Sequence, residues 1–284
     1  MATPRFLVAE SETPEQGERR RASVGRSSGE TYLDTLRALA PDAACDLVRP
    51  AEEGSEAPDR AALAAYDAVF LTGSPLHVYR DTPAVRRQLA FMRDVFASGT
   101  PSFGSCAGLQ VAAAAAGGAV RENRRGHEAA FARRIVPTRA GRDHPLLAGR
   151  PAAWDAPAVH ADEVERLPEG AVPLAGNGVS AVQAAEIRHG GGVFWGVQYH
   201  PELTLGEVAA ALRRQASDLV EQGRAVDEHA GRIEALHREP CRRDLAWQLG
   251  LDEQVTDPAL RQTELRNFVE RLVRPTMEAR GRTR

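Results

Sequence analysis

The chain contains no lysine: all 36 of its basic residues are arginine. P-loop chemistry is thereby excluded, since its lysine must reach the phosphates, and so is Schiff-base chemistry, which needs an amine nucleophile. Walker-type ATPase and pyridoxal readings fall together. The excess of alanine and arginine over lysine reads as a bias of base composition. Cysteine is also scarce, with Cys45, Cys106 and Cys241 far apart and odd in number. That fits neither a disulfide framework nor a cysteine-rich zinc site, and it predicts a reducing compartment. Long apolar runs are missing as well. No stretch approaches the ~20 residues of a membrane span, and Phe6-Leu7-Val8 is too short for a signal peptide, so a cytoplasmic protein is expected. The net charge of −3 provides no global field to recruit nucleic acid or a membrane surface.

What is present at 284 residues is enough chain for one large α/β domain with an appendage. Phe6-Leu7-Val8-Ala9 reads as a first buried strand, and the polar, arginine-rich stretch from Ser11 to Glu30 as a loop that keeps Arg19-Arg20-Arg21 in solvent. Tyr32, Leu33, Leu36 and Leu39 repeat at helical spacing and stop before Pro41. Asp67 to Leu71 is a strand entering the turn Thr72-Gly73-Ser74-Pro75, and Val85 to Phe96 has helical spacing. An alanine-rich helix follows Cys106 and closes at Gly117-Gly118. Strands alternating with helices predict a three-layer α/β fold with a mostly parallel sheet. Arg121 to Gly196 reads as further strands and loops, ending in the buried strand Val193 to Val197. Beyond residue 215 the chain turns to polar helices. Asp257 caps one with Pro258 at its first position, and Leu265, Phe268, Val269, Leu272 and Val273 share one face of another. The expected division is therefore a catalytic domain over 1–215 and a helical extension over 216–284.

Two local patterns carry chemistry. In Gly104-Ser105-Cys106-Ala107-Gly108, glycines two residues either side of a thiol permit a sharp strand-to-helix turn that presents the side chain at a helix N-terminus, where the thiolate is favoured. In His200-Pro201-Glu202, a histidine leaves the end of a strand with a carboxylate two residues on to fix its tautomer. Cys106, His200 and Glu202 are the candidate nucleophile, acid/base and orienting carboxylate. The turn at Gly73-Ser74-Pro75 would open on the same sheet edge. Backbone N–H groups of Ser74 and Ala107 are candidate oxyanion donors, worth ~3 kcal/mol each to a transition state.

These segments, in this order, resemble class I glutamine amidotransferases, which share a Gly-Gly-Pro-like turn, a Gly-x-Cys-x-Gly-x-Gln elbow (Gly104 to Gln110) and a terminal His-Pro-Glu. His160-Ala161-Asp162-Glu163-Val164-Glu165-Arg166-Leu167-Pro168 is similar to the family's His-x-Asp-x-Val-x-x-Leu-Pro stretch, so the likeness runs from about residue 5 to 215. The nearest pattern is the amidotransferase domain of GMP synthase. The resemblance implies a flavodoxin-like sheet and attack by Cys106 on the side-chain amide of glutamine. His200 would protonate the departing ammonia, and a γ-glutamyl thioester would then be hydrolysed. Gly73, Gln110 and His160 become candidate substrate-binding residues, with backbone near Val159 and His160 for the α-carboxylate. No cofactor is implied, and no residue group has metal spacing. Ser74 replaces the family's second glycine, so its donor survives only if its φ suits a side chain.

The expected function is a stand-alone glutaminase passing ammonia to a separate synthase, because the chain has no pyrophosphatase loop or second domain to consume it. The alternative is a γ-glutamyl peptidase or hydrolase acting on γ-glutamyl conjugates; a non-catalytic regulator of the same fold is a third reading. The tail is a candidate docking or homodimer surface unless it packs on its own domain. Gly126-His127-Glu128 falls on a strand near the substrate pocket, His144 and His189 read as turn residues, Cys45 packs behind the sheet and Cys241 is a surface thiol.

Overall fold

A computed structural model describes residues 3–215 and 226–281. Its elements, in chain order, are β1 (Arg5–Ala9), α1 (Pro14–Val24), α2 (Ser28–Leu39), β2 (Ala44–Val48), α3 (Arg60–Leu63), β3 (Ala68–Leu71), α4 (Pro83–Ser98), β4 (Ser102–Ser105), α5 (Ala107–Ala115), β5 (Ala119–Glu122), β6 (Glu128–Pro137), α6 (Arg139–Arg142), β7 (Trp154–His160), β8 (Asp162–Arg166), β9 (Val172–Gly176), β10 (Ala184–His189), β11 (Gly192–Val197) and α7 (Leu205–Arg214). Helices covering Val226–Arg238, Arg243–Leu249, Glu253–Thr256, Pro258–Arg261, Thr263–Phe268 and Arg274–Ala279 complete the chain.

Nine strands form one sheet in the order β2-β1-β3-β4-β11-β10-β9-β6-β7. The first five are parallel, as the strand–helix alternation predicts. From β11 onward the sheet continues as an antiparallel meander, which accounts for the segment poor in helical spacing. Strands β1 and β3 are apolar without interruption because both faces are covered. Phe6, Val8, Ala68 and Phe70 join one core with Tyr32 and Leu36 of α2. Leu7, Ala9, Val69 and Leu71 join another with Met92, Val95 and Phe96 of α4 and Leu109 of α5.

The stretch expected as a loop contains α1. Thr13 and Gln16 form a reciprocal capping box, Pro14 opens the helix, and Gly25 closes it in the left-handed region at φ 79°. Only Gly17 and Arg20 of this helix are buried, so it has no apolar period to detect; the caps were the available signal. Arg20 is not solvated. Its guanidinium bonds Thr31 Oγ1 at 3.1 Å and Glu207 Oε1 at 3.0 Å, tying α1 to α2 and α7.

The tail completes the fold from within. Leu265, Phe268, Val269, Val273 and Met277 belong to the same core as Phe6 and Phe70. The Phe268 ring lies 5.3 Å from Phe70, 5.5 Å from Phe103 and 6.1 Å from Trp195, against the strands that lead to the elbow. Asp257 caps its helix as expected, accepting from Ala259 N–H. Deeper in, Arg150 makes a fork to Glu264, with Nε–Oε1 and Nη2–Oε2 both 2.6 Å and the two side chains 2% and 0% exposed. Burial works against the Arg150 charge, but Glu264 outweighs it and raises the pKa.

Truncating Phe268 to alanine should therefore destabilise the whole protein by about 3–5 kcal/mol, as for other large core aromatics. Urea unfolding checks this; a loss under about 1 kcal/mol would mean that the tail merely rests on the domain.

Candidate active site

Between the end of β4 and the start of α5, Cys106 is held at φ 51°, ψ −110°, a conformation that costs an L-residue roughly 1–3 kcal/mol. Hydrogen bonds on both sides impose it: Cys106 N–H donates to Val197 C=O at 2.8 Å, and its carbonyl accepts Gln110 N–H at 3.1 Å. The flanking glycines serve close approach. A Cβ on Gly104 would come within 2.8 Å of the Gly108 carbonyl carbon, and one on Gly108 within 2.6 Å of Leu71 C=O. Backbone strain thus falls on the thiol-bearing residue itself, which is lifted from the sheet onto a helix N-terminus.

Strand β11 pairs in parallel with β4, Val197 opposite Ser105, so the chain leaving it passes beside the elbow. His200 N–H is anchored to Pro157 C=O at 2.8 Å. Its Nδ1 donates to Glu202 Oε1 at 2.7 Å, which turns Nε2 away from the carboxylate. Glu202 Oε2 accepts from Ser105 Oγ at 2.9 Å, and Ser105 Oγ in turn meets the Tyr32 hydroxyl in a very short contact. Burial, and next the Glu202 charge, hold the Tyr32 pKa well above its usual value, so the phenol remains a donor. The Tyr32–Ser105 relay has no sequence signature, because 73 residues separate its members. Burial alone would lower the His200 pKa; the Glu202 carboxylate and the Cys106 sulfur outweigh it and push it up to about 10. Gly73 makes room for this ring: a Cβ there would lie 2.5 Å from His200 Cε1 and 3.5 Å from Cys106 Cβ.

Two cavities meet at Cys106. One, of about 690 Å³, is lined by Gln110, His127, Val159, His160, Ala161 and Asp162. The other, of about 480 Å³, lies on the side of His200 and Glu202 and reaches Glu12, Ser28 and Thr31. Ser74 borders both. Its backbone does not enter the positive-φ region, so serine in place of glycine carries no conformational penalty here, and its Oγ accepts Leu76 N–H at 3.3 Å. The loop beyond it is strapped across the first cavity, where His77 Nδ1 meets Asp162 Oδ2 at 2.8 Å and Tyr79 reaches Asp162 Oδ1 at 3.4 Å. Ala107 is the first residue of α5.

Gln110 borders the first cavity, with Nε2 donating to Asp162 C=O and Gln198 Oε1, both at 3.2 Å. The His160 side chain is taken up by the fold. It is 2% exposed and points between Asp162 C=O, 2.9 Å from Nδ1, and Glu128 Oε2, 2.8 Å from Nε2. Glu128 also accepts from Asn177 and Gln183. What residue 160 offers the cavity is therefore backbone. His144 caps a 3₁₀ turn, its Nδ1 accepting Leu146 N–H, and faces Glu186, whose carboxyl pKa falls to about 2 with His144 as the largest cause. His189 closes the β10–β11 hairpin, Cys45 is half-buried on β2, and Cys241 is exposed. Among the described residues, no group of three or more His, Cys, Asp or Glu could hold a metal ion, and no helix is long and apolar enough to cross a membrane.

A thiol on a strained elbow, beside a buried histidine held by a carboxylate, is a device for acyl transfer from an amide, and the protein is an amide-hydrolysing enzyme. It belongs to the class I glutamine amidotransferases, whose family model, "Glutamine amidotransferase class-I", matches residues 27–217. A γ-glutamyl-L-1-hydroxyisopropylamide hydrolase of a Pseudomonas species is 35% identical over 96% of this chain and 94% of its own. One component of the glutamine-hydrolysing GMP synthase of Methanoculleus marisnigri is 39% identical over 37% of this chain, which spans 54% of that relative. The crystal structure of a glutamine amidotransferase from Thermotoga maritima superposes with a TM-score of 0.65 at 19% identity, covering 96% of this chain and 99% of that one, a likeness of fold.

Folding raises the His200 pKa from 6.5 to about 10, so the imidazolium adds stability that is fully present below about pH 6.5 and is lost as pH rises through about 10. The ring protons of His200 should titrate near pH 10 by NMR, and Glu202→Gln should lower that midpoint. A wild-type midpoint near 6.5 would refute the pairing.

Proposed function

We propose that the enzyme hydrolyses γ-glutamyl amides to glutamate and an organic amine, with Cys106 as nucleophile, His200 as acid and base, and Glu202 as the group that orients His200. The observation that carries this reading is the second cavity on the His200 side of Cys106. A general acid must face the nitrogen that it protonates. The leaving group therefore departs toward His200, where about 480 Å³ is available, far more than ammonia fills. The γ-glutamyl part takes the other cavity, beside Gln110 and the backbone of Val159 to Ala161. The near full-length likeness to a γ-glutamyl-L-1-hydroxyisopropylamide hydrolase supports the same choice.

In this mechanism Cys106 Sγ attacks the γ-carbonyl carbon, and the oxyanion is met by Ser74 and Ala107 N–H groups. His200 gives its proton to the nitrogen, the C–N bond breaks and the amine leaves. Water then occupies the vacated side, loses a proton to His200 and attacks the thioester, releasing glutamate and restoring Cys106 and the imidazolium of His200. Gly73 has a steric part, leaving space for the imidazole. Glutamine is a substrate of the same site with ammonia as leaving group. The likeness to a GMP synthase component favours that second reading, in which a separate synthase accepts the ammonia.

Steady-state rates on glutamine and on γ-glutamyl alkylamides discriminate between the two. The amides should be cleaved with the higher kcat/KM, and glutamine turnover that is both preferred and raised by a synthase would favour ammonia supply. Cys106→Ala should lower kcat on either substrate by at least about a thousandfold. Wild-type enzyme should show a burst of amine release, while retention of activity in the variant would sink the assignment.

A further inference from the structure

The leaving-group cavity has a carboxylate oxygen at its end that the fold does not use up. Glu12, just before α1, is 6% exposed and lines the cavity that contains Cys106 and His200. Its Oε2 accepts Ser28 N–H at 2.9 Å, whereas no partner is found for Oε1 among the described residues. Several other polar groups of that wall are occupied. Ser28 Oγ bonds Thr72 Oγ1, Thr31 Oγ1 bonds Glu207 Oε1 and accepts from Arg20, and Gln16 Oε1 accepts Thr13 N–H. Arg20 Nη2 is committed to Glu207 and Thr31 while its Nε has no partner, and Arg214 donates to Ser23 Oγ. A carboxylate oxygen without a donor retains its full capacity to accept a hydrogen bond. Placed in a cavity, it is a demand for a donor from whatever enters.

We propose that Glu12 recognises the departing amine, and that preferred substrates are γ-glutamyl amides of short amines bearing a second hydrogen-bond donor, a hydroxyl or an ammonium group. This rests on the γ-glutamyl amide reading above. The donor sits at the far end of the amine, so its hydrogen bond to Glu12 Oε1 holds the amide nitrogen under His200. A plain alkylamine enters the same cavity but leaves Oε1 unpaired. A site built to bond a donor discriminates strongly against analogues that lack it. Water can replace part of that bond, so discrimination of at least about tenfold is expected.

The test is a matched series of γ-glutamyl amides, of an alkylamine, an amino alcohol, a diamine and an amino acid of equal chain length, assayed with wild type, Glu12→Gln and Glu12→Ala. Wild type should favour the amino alcohol or the diamine over the alkylamide by at least about tenfold in kcat/KM. Glu12→Gln keeps an acceptor for Ser28 N–H but removes the charge. If the favoured donor is ammonium, Gln should erase the preference; if it is hydroxyl, Gln should retain most of it and Ala should erase it. Circular dichroism spectra of both variants should match that of wild type, which shows that they fold. Equal rates across the series in wild type, or a preference unchanged in Glu12→Ala, would overturn the proposal while leaving γ-glutamyl hydrolysis standing. A preference for the amino acid conjugate would overturn it too, in favour of the cavity's arginines. Failure to cleave any of the conjugates would instead remove the reading beneath it.

Discussion

The buried pair of His200 and Glu202 is the constraint around which the site is arranged. A carboxylate at 4% side-chain exposure beside an imidazole at 11% is tolerable only if each has compensating partners, because desolvation otherwise drives both to their neutral forms. Glu202 obtains its second partner from Ser105, the residue immediately before the thiol, and Ser105 is itself set by Tyr32. The same backbone turn that lifts Cys106 therefore supplies the hydroxyl that bonds the carboxylate of His200's partner. Gly73 belongs to this constraint as well, since the imidazole occupies the volume where its side chain would project. Cys106 follows β4 while His200 and Glu202 follow β11, and Ser105, next to the thiol, joins the two strand ends through its bond to Glu202.

Parallel pairing explains why those strand ends coincide. β3, β4 and β11 run side by side, so their carboxyl ends open on one edge, where Gly73, Cys106 and His200 emerge within a few residues of their strands. Edge strand β7 and the separate β5–β8 pair wall off the first cavity instead, and the Asp162 carboxylate fastens the loop that carries Ser74. The chain thus holds the Gly73-Ser74-Pro75 turn with His77 and Tyr79.

Local chemistry was legible and distant pairing was not. Cys106, His200 and Glu202 announce themselves because glycine spacing and a proline-stopped strand are short-range signals, and the parallel core reads directly from uninterrupted apolar runs such as Ala68 to Leu71. Tyr32 reads as a helix core residue, and nothing near it indicates the bond to Ser105. His160 lies in a recognisable stretch, yet its partner Glu128 is 32 residues away, so the bond that holds its side chain was not legible. Helix α1 went unread because its buried positions are a glycine and an arginine. Glu12 belongs to no motif; only the cavity gives it meaning.

The placement of Phe268 has a consequence for how the molecule is made. Its ring covers Phe70 and Phe103, residues synthesised 198 and 165 positions earlier by subtraction of their numbers. At about 5–20 residues per second, roughly ten to forty seconds pass before this cover emerges. During that interval the strands beneath the thiol are exposed on one face, and the nascent chain is at its most vulnerable to aggregation or chaperone capture. The enzyme's core closes from residues that are made late, so a chain released before Leu265 would be an open sheet with all three catalytic candidates in place.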